Sequence, residues 1–406
     1  MASAHHSRNA SLSVMARWLI DGSGGPIHRN VAFNIHEGRF SPIRRMETTQ
    51  RKALPELDFS DHTLLPCFVD SHVHLFMSAT VDPAIRENQL KTDFDALRPV
   101  IQTHLNQHVA HGIIAVRDGG DRHGYARRYK TEWLDPSTSP ISLCVTGWAW
   151  HRPGRYGRFV GKALPYKQAF KDALRANAHG IDQVKIINSG LNSLTEFGGT
   201  TSPQFTLEEM TEAVCAGHQL GLKTMVHANG KEPVRIALKA GCHSLEHGFF
   251  MGRENLKRMA DSNTVWVPTA HTMQAYAIHL KENSVESAIA RKNLDHQLEQ
   301  IAEAGRLGVR IALGTDAGSL GVYHGSSVAE ELKLLMRAGY GVEAAIQSAS
   351  LHGAELLGLE NAGIIADGRA ANFIAVKGSP AELPDSLNRI EAIFVSGKRL
   401  KEADLS

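Results

Sequence analysis

The sequence predicts an α/β protein: a (β/α)8 TIM barrel with a small β-sandwich domain built from both termini. Three observations lead there. Between residues 65 and 358, short apolar runs alternate with helical patterns. Both ends of the chain instead carry short strands punctuated by Gly and Pro. Chemically capable side chains stand at the ends of the apolar runs, the edge where a barrel gathers its functional groups.

The elements follow in order. MARWLIDG, NVAFNIHEGRF and HTLLPCFVD read as N-terminal strands, and RAANFIAVKGS and RIEAIFVSGKRL repeat that texture near the C-terminus. The expected division is residues 1–64 with 365–406 as a composite sandwich and 65–364 as the barrel. Within the barrel the strands are expected at 65–70, 113–118, 141–148, 183–188, 223–227, 243–247, 264–269 and 310–315. Helical patterns fall at 93–111, 166–179, 206–220, 231–240, 253–262, 273–307, 326–338 and 342–358. A doubly wound open sheet is the competing arrangement.

Composition bounds the function. At 406 residues the chain can hold one large core and a smaller one. Lys+Arg 44 against Asp+Glu 42 gives a formal charge of +2, so there is no basic excess to hold nucleic acid. No stretch approaches a membrane span, and the N-terminus lacks a signal-peptide apolar region. Cys67, Cys144, Cys215 and Cys242 are far apart without CxxC spacing, which fits a reducing, cytoplasmic setting. The expected partner is a small-molecule substrate, with self-association into a homo-oligomer left open.

Chemistry enters at "LLPCFVDSHVHLFMS". An apolar strand ends in His72 and His74, whose side chains point the same way because residues i and i+2 share a face. "DQVKIINSG" carries Lys185 inside a strand; "KTMVHANG" ends in His227, "HSLEHGFF" in His247, and "RIALGTDAG" in Asp316. Each alone has an ordinary structural explanation as a paired or capping group. Together the six occupy the C-terminal ends of predicted strands. Imidazole and carboxylate are zinc ligands. A buried ammonium is costly, but condensation of Lys185 with CO2 would give an anionic carbamate able to bridge two cations. Four imidazoles, one carbamate and one carboxylate suit a site for two divalent metal ions, with zinc expected, that share a hydroxide.

These residues resemble the amidohydrolase superfamily, in particular its dinuclear carboxylated-lysine branch of prolidase-like and imidazolonepropionase-like hydrolases. "PCFVDSHVHL" is similar to that family's first strand, with Cys67 where Gly is usual. "VKIINSG", "VHANG", "SLEHG", "VPT" and "LGTDAG" follow in the expected order, and "AGIIADGRAANFIAVKGSP" resembles its returning segment, with Asn372 where Asp is usual. The resemblance implies that His72, His74 and Asp316 bind the more buried metal, that His227 and His247 bind the second, and that carboxylated Lys185 bridges. It implies Asp316 as the catalytic base and then acid. Relatives that deaminate usually have Glu where this chain has Gly230, and they lack the lysine, so hydrolysis is the expected reaction.

The loop after the third strand, "WAWHRPGRYGRFVGK", departs from the pattern. It is either a solvated loop or a substrate-binding segment in which His151, Arg155 and Tyr156 meet an anionic group. His271 and His324 are the other substrate-binding candidates. Trp148 and Trp150 are expected to pack. The resulting expectation is a metal-dependent hydrolase of an amide-type C–N bond in a peptide-like or N-acyl amino acid substrate. A lactam, imide or heteroaromatic ring hydrolase is the enzymatic alternative, and an inactive scaffold of the same fold is the non-enzymatic one.

Overall fold

The computed structural model describes residues 11–46 and 55–401. Residues 1–10, 47–54 and 402–406 of the expected sandwich segments lie outside the described residues. Both termini contribute to one eight-stranded sheet. Its order runs Lys398–Arg399, Ile390–Val395, Phe373–Lys377, Leu57–Pro66, Leu12–Leu19, His28–His36, Arg39–Phe40, with Arg44–Arg45 also pairing to His28–His36. Only Leu12–Leu19 with Leu57–Pro66 is parallel. Phe33, Phe40, Phe59, Phe373 and Phe394 fill a core of their own against this sheet, and Phe373 stacks on Phe394 at 4.4 Å.

The middle of the chain forms two all-parallel sheets. One is Phe68–Val73, Ile113–Asp118, Ser142–Val145; the other is Gly161–Ala163, Ala149–His151, Gln183–Ile187, Lys223–Ala228, Ser244–His247, Val265–Val267. Their strands are buried almost throughout, as expected of parallel strands covered by helices. Val145, in an edge strand of the first sheet, accepts a hydrogen bond (2.9 Å) from the amide of Asp182, just before Gln183–Ile187 of the second. On the other side residues 310–317 run between the remaining edges. The amides of Trp266, Ala312, Ser71 and Asp316 donate to the carbonyls of Arg310, Trp266, Leu313 and His72.

Residues 310–315 were expected as a strand, yet they carry only isolated bridges. Gly314 explains the irregularity: a Cβ there would meet Val267 Cγ1 at 2.5 Å and the His72 backbone nitrogen at 2.9 Å, so the backbone is pressed against its neighbours. Buried Asp70 then clasps the segment, accepting from Thr315 N (3.0 Å) and Thr315 Oγ1 (2.6 Å).

The long helix expected over 273–307 is two helices, His271–His279 and Val285–Leu307. Asn283 takes a left-handed φ of 59°, and Ser284 caps the second helix by accepting from Ser287 N. The pattern at 342–358 likewise divides into Val342–Ala349 and Leu351–Leu357. All four cysteines are free, and among the described residues no helix is long and apolar enough to cross a membrane.

Phe373 is fully buried against four other rings. Phe373→Ala is expected to cost about 3–5 kcal/mol in denaturant unfolding; a loss below about 1 kcal/mol would contradict the packing described.

Candidate metal centre

The six polar residues singled out at strand ends converge. His74, Lys185, His227, His247 and Asp316 line one cavity of about 310 Å³. His72 lies behind its wall, with no exposed surface. Ligand-type atoms of His72, His74 and Asp316 all lie within 4.8 Å of one another. Asp316 Oδ1 is 3.6 Å from His72 Nε2 and 3.5 Å from His74 Nε2. Lys185 Nζ is 3.2 Å from His72 Nε2. The rings of His227 and His247 are 4.5 Å apart, and His247 is 5.0 Å from His72.

Strand pairing places most of these side chains. Ile187 is registered with His227, so Lys185, two residues earlier in its strand, shares His227's inward face. His227 is in turn registered with Glu246, which also faces inward. By simple alternation His247 should face away. It does not, because its φ of 67° is left-handed and re-aims the imidazole. Two donors steady this strained turn: Trp266 Nε1 (3.0 Å) and Gln297 Nε2 (2.6 Å) bond to the His247 carbonyl. Thr269 and Asp316 also have positive φ, 45° and 60°. Three such residues at one mouth mark a place where the fold sustains strain to aim side chains.

The outer nitrogen of each imidazole has a partner. His72 Nδ1 donates to Glu246 Oε2 (2.8 Å) and His74 Nδ1 to the Gly120 carbonyl (2.9 Å), which leaves Nε2 as the lone-pair atom of both rings. His247 Nδ1 shares a hydrogen bond with Thr269 Oγ1 (2.7 Å). In His227 the pattern reverses: Nε2 faces the Gly190 carbonyl at 3.2 Å, leaving Nδ1 as the lone-pair atom.

Burial keeps the rings neutral. It lowers His74 and His227 to about 3, with the Lys185 charge adding to the effect, and holds His72 and His247 well below the ordinary value. Burial also lowers Lys185 to about 8, against the opposing carboxylates of Glu246 and Asp316. It raises Asp316 to about 7, with Lys185 opposing. Neutral imidazoles, a carboxylate and an amine with an accessible neutral form are the donor set a divalent cation requires.

Glu246 is itself held by Arg117, whose Nη2 donates to both of its oxygens (2.9 and 3.0 Å). Arg117 also bonds Ser71 O (2.6 Å) and Ser244 Oγ (2.8 Å). Both charged groups are almost fully buried. Arg117 and Glu246 are not among the residues expected from sequence, although Arg117 in "IIAVRD" carries the same signal as Lys185: a cation inside an apolar strand.

The five substrate-binding candidates fare differently. Tyr156 lines the cavity, its ring 5.4 Å from that of His227. The other four are absent from the lining. His151 is buried, with Nδ1 on the Arg152 carbonyl. Arg155 bonds Ser202 O (2.7 Å) and Oγ (3.2 Å), because residues 161–163 fold back as a strand and fasten the loop to the protein. His271 begins a helix whose first amides are capped by Glu331. His324 stacks on His104 at 3.9 Å and bonds the Met77 carbonyl, facing a different depression. Trp148 and Trp150 are buried and pack edge to face.

Comparison with known proteins bears on the family and the fold. The sequence model of the amidohydrolase family matches residues 63–400. An ochratoxinase of Aspergillus niger is 27% identical over 237 residues, covering 57% of this chain and 48% of that protein. An imidazolonepropionase of Deinococcus deserti is 28% identical over 181 residues, 43% of this chain and 40% of that protein. The chain thus spans about half the length, or less, of these curated relatives. Among solved structures, a Xaa-Pro dipeptidase with bound methionine in the active site superposes with a TM-score of 0.79 at 26% identity, over 97% of this chain and 100% of that one. The structure of A. niger ochratoxinase gives 0.77 at 20% identity, over 96% and 95%, a likeness of fold.

Two outcomes follow. Glu246→Gln removes the negative charge that orients and polarises His72 and leaves only a neutral acceptor, so metal affinity is expected to fall about 10–100-fold in chelator competition; unchanged affinity would contradict that role. In metal-free protein, His74 and His227 sit near 3 when folded against an ordinary 6.5. Between those values the unfolded chain binds more protons, so stability present above pH 6.5 should decline as pH falls toward 3. Thermal unfolding of a His74→Asn/His227→Asn variant should show a shallower decline; an identical slope would contradict the assignment.

Proposed function

Because this chain belongs to the amidohydrolase family, whose model covers residues 63–400, we propose that it is a metal-dependent hydrolase of an amide-type C–N bond. The observation that carries the reading is the convergence of His72, His74, Lys185, His227, His247 and Asp316 around one cavity, with ligand atoms of His72, His74 and Asp316 within 4.8 Å of one another. In this reading residues 65–364 close as a (β/α)8 barrel, supported by the hydrogen bonds of residues 310–317 to both sheets. Residues 1–64 and 365–406 form the companion β-sandwich domain, supported by their shared sheet.

His72, His74 and Asp316 would hold one divalent cation, and His227 and His247 a second. Lys185, whose amine is neutral in part near pH 8, would bridge them as a carbamate formed with CO2 on loss of a proton. When bound, the cations, with zinc expected, supply Lewis acidity and lower the pKa of water.

The chain's own groups perform the rest. Asp316, raised to about 7 by burial, is matched to taking a proton from water at neutral pH. It then returns that proton to the leaving nitrogen as the C–N bond breaks. The products are a carboxylic acid and an amine. Tyr156 makes no hydrogen bond to a described side chain through its hydroxyl, and burial holds its pKa well above the usual value. It therefore stays a donor for the carbonyl oxygen as negative charge develops there. Phe76, Val160, Ile187 and Phe249 wall the cavity with apolar surface, which strengthens these interactions by excluding water.

The substrates best supported are peptide-like or N-acyl amino acids. Relatives named ochratoxinase and Xaa-Pro dipeptidase lend support to acyclic amides, and imidazolonepropionase keeps a cyclic amide as the second reading. Metal-loaded protein assayed against N-acyl amino acids, dipeptides and lactams should hydrolyse one of these classes. Asp316→Asn should lower the rate about 100-fold or more, and a chelator should abolish it. Hydrolysis that survives metal removal would overturn the reading.

A further inference from the structure

One charged side chain in the cavity wall is left over by the metal centre. Arg86, in the helix Pro83–Gln89, lines the same cavity as Asp316 and Tyr276. Its Nη1 donates to the carbonyls of Gly318 (3.1 Å) and Thr80 (3.4 Å). Among the described residues no carboxylate forms an ion pair with it, whereas Arg117 and Arg152 are paired to Glu246 and Glu209. A guanidinium keeps its charge at any physiological pH, so a half-buried one hydrogen-bonded only to two carbonyls has donors to spare and a charge that Asp316 offsets without touching it.

Its position says what it faces. Gly318 is two residues beyond Asp316, so Arg86 is fastened to the loop that carries the proposed proton donor to the leaving amine. An anion bound there belongs to the amine half of the substrate. The Tyr276 hydroxyl stands in the same wall and makes no hydrogen bond to a described side chain. Around these polar groups the mouth is apolar, through Met77, Leu90, Phe159, Leu191 and Met273.

We propose that Arg86 is the specificity-determining residue, binding the carboxylate of the amino acid released from an N-acyl amino acid whose remaining surface is apolar. The proposal rests on the hydrolase reading and deepens it. Guanidinium and carboxylate match as two parallel hydrogen bonds. The anion site expected at Arg155 thus moves to Arg86, since Arg155 lies outside the lining and is engaged by Ser202.

The test separates binding from catalysis. Metal-replete full-length protein is titrated calorimetrically with N-tosyl-L-phenylalanine, whose sulfonamide resists hydrolysis, and with its neutral alcohol counterpart, N-tosyl-L-phenylalaninol. The acid should bind at least about tenfold more tightly than the alcohol. Arg86→Ala should erase that preference while leaving alcohol affinity unchanged, and Arg86→Lys should restore part of it. Equal affinity for acid and alcohol in the unaltered protein, no measurable binding of either, or an Arg86→Ala variant that weakens both alike would overturn the proposal. The last result would mean that Arg86 only pins the Thr80 and Gly318 loops. Failure of the hydrolase reading would show differently: no turnover of any amide by protein that still prefers the acid.

Discussion

Four imidazoles, an amine and a carboxylate share one buried space, and the fold tolerates them because each ring is held by a hydrogen-bond partner on its outer side, an acceptor for His72, His74 and His227 and a hydroxyl for His247. Were the rings free to protonate, four cations would crowd beside Lys185. Burial and mutual repulsion hold them neutral instead. The arrangement is therefore unfavourable for the protein alone and favourable for a protein that holds cations. The Arg117–Glu246–His72 chain extends the same logic outward. A buried arginine and a buried glutamate neutralise each other and use their remaining hydrogen-bonding capacity to aim a histidine.

Backbone strain serves the same end. Alternation along a strand can present every second residue to the centre, and His72 and His74 use it directly. Glu246 and His247 are adjacent, so alternation alone cannot turn both inward. The left-handed turn at His247, steadied by Trp266 and Gln297, resolves the conflict. Asp316 reaches the centre by the same device, after a segment too irregular to pair as a strand. Local conformational cost is thus concentrated at the cavity mouth and offset by burial and hydrogen bonds behind it.

Much of this was legible in the residues. The strand over 113–118 and the helices near 207–219 and 231–239 follow from periodicity and sit where it places them. The six polar strand ends meet because neighbouring parallel strands bring their ends together. What periodicity could not supply was contact between distant segments. Nothing in "WAWHRPGRYGRFVGK" announces that Arg152 would pair with Glu209, Arg155 with Ser202, and Lys162 with the face of Trp148. A cluster of cations in a loop looks like an anion site until its partners, some fifty residues away in the first two cases, are known. Arg86 drew no notice for the opposite reason: in sequence it is one arginine in an ordinary exposed helix, and only the fold sets it against the loop after Asp316.

The account stands on two cations gathered around Lys185. Anomalous diffraction from a crystal of metal-replete protein tests this most directly. It should show two peaks, one beside His72, His74 and Asp316 and one beside His227 and His247, with density continuing from the Lys185 amine to both. A single peak remote from Lys185, or none, would contradict it.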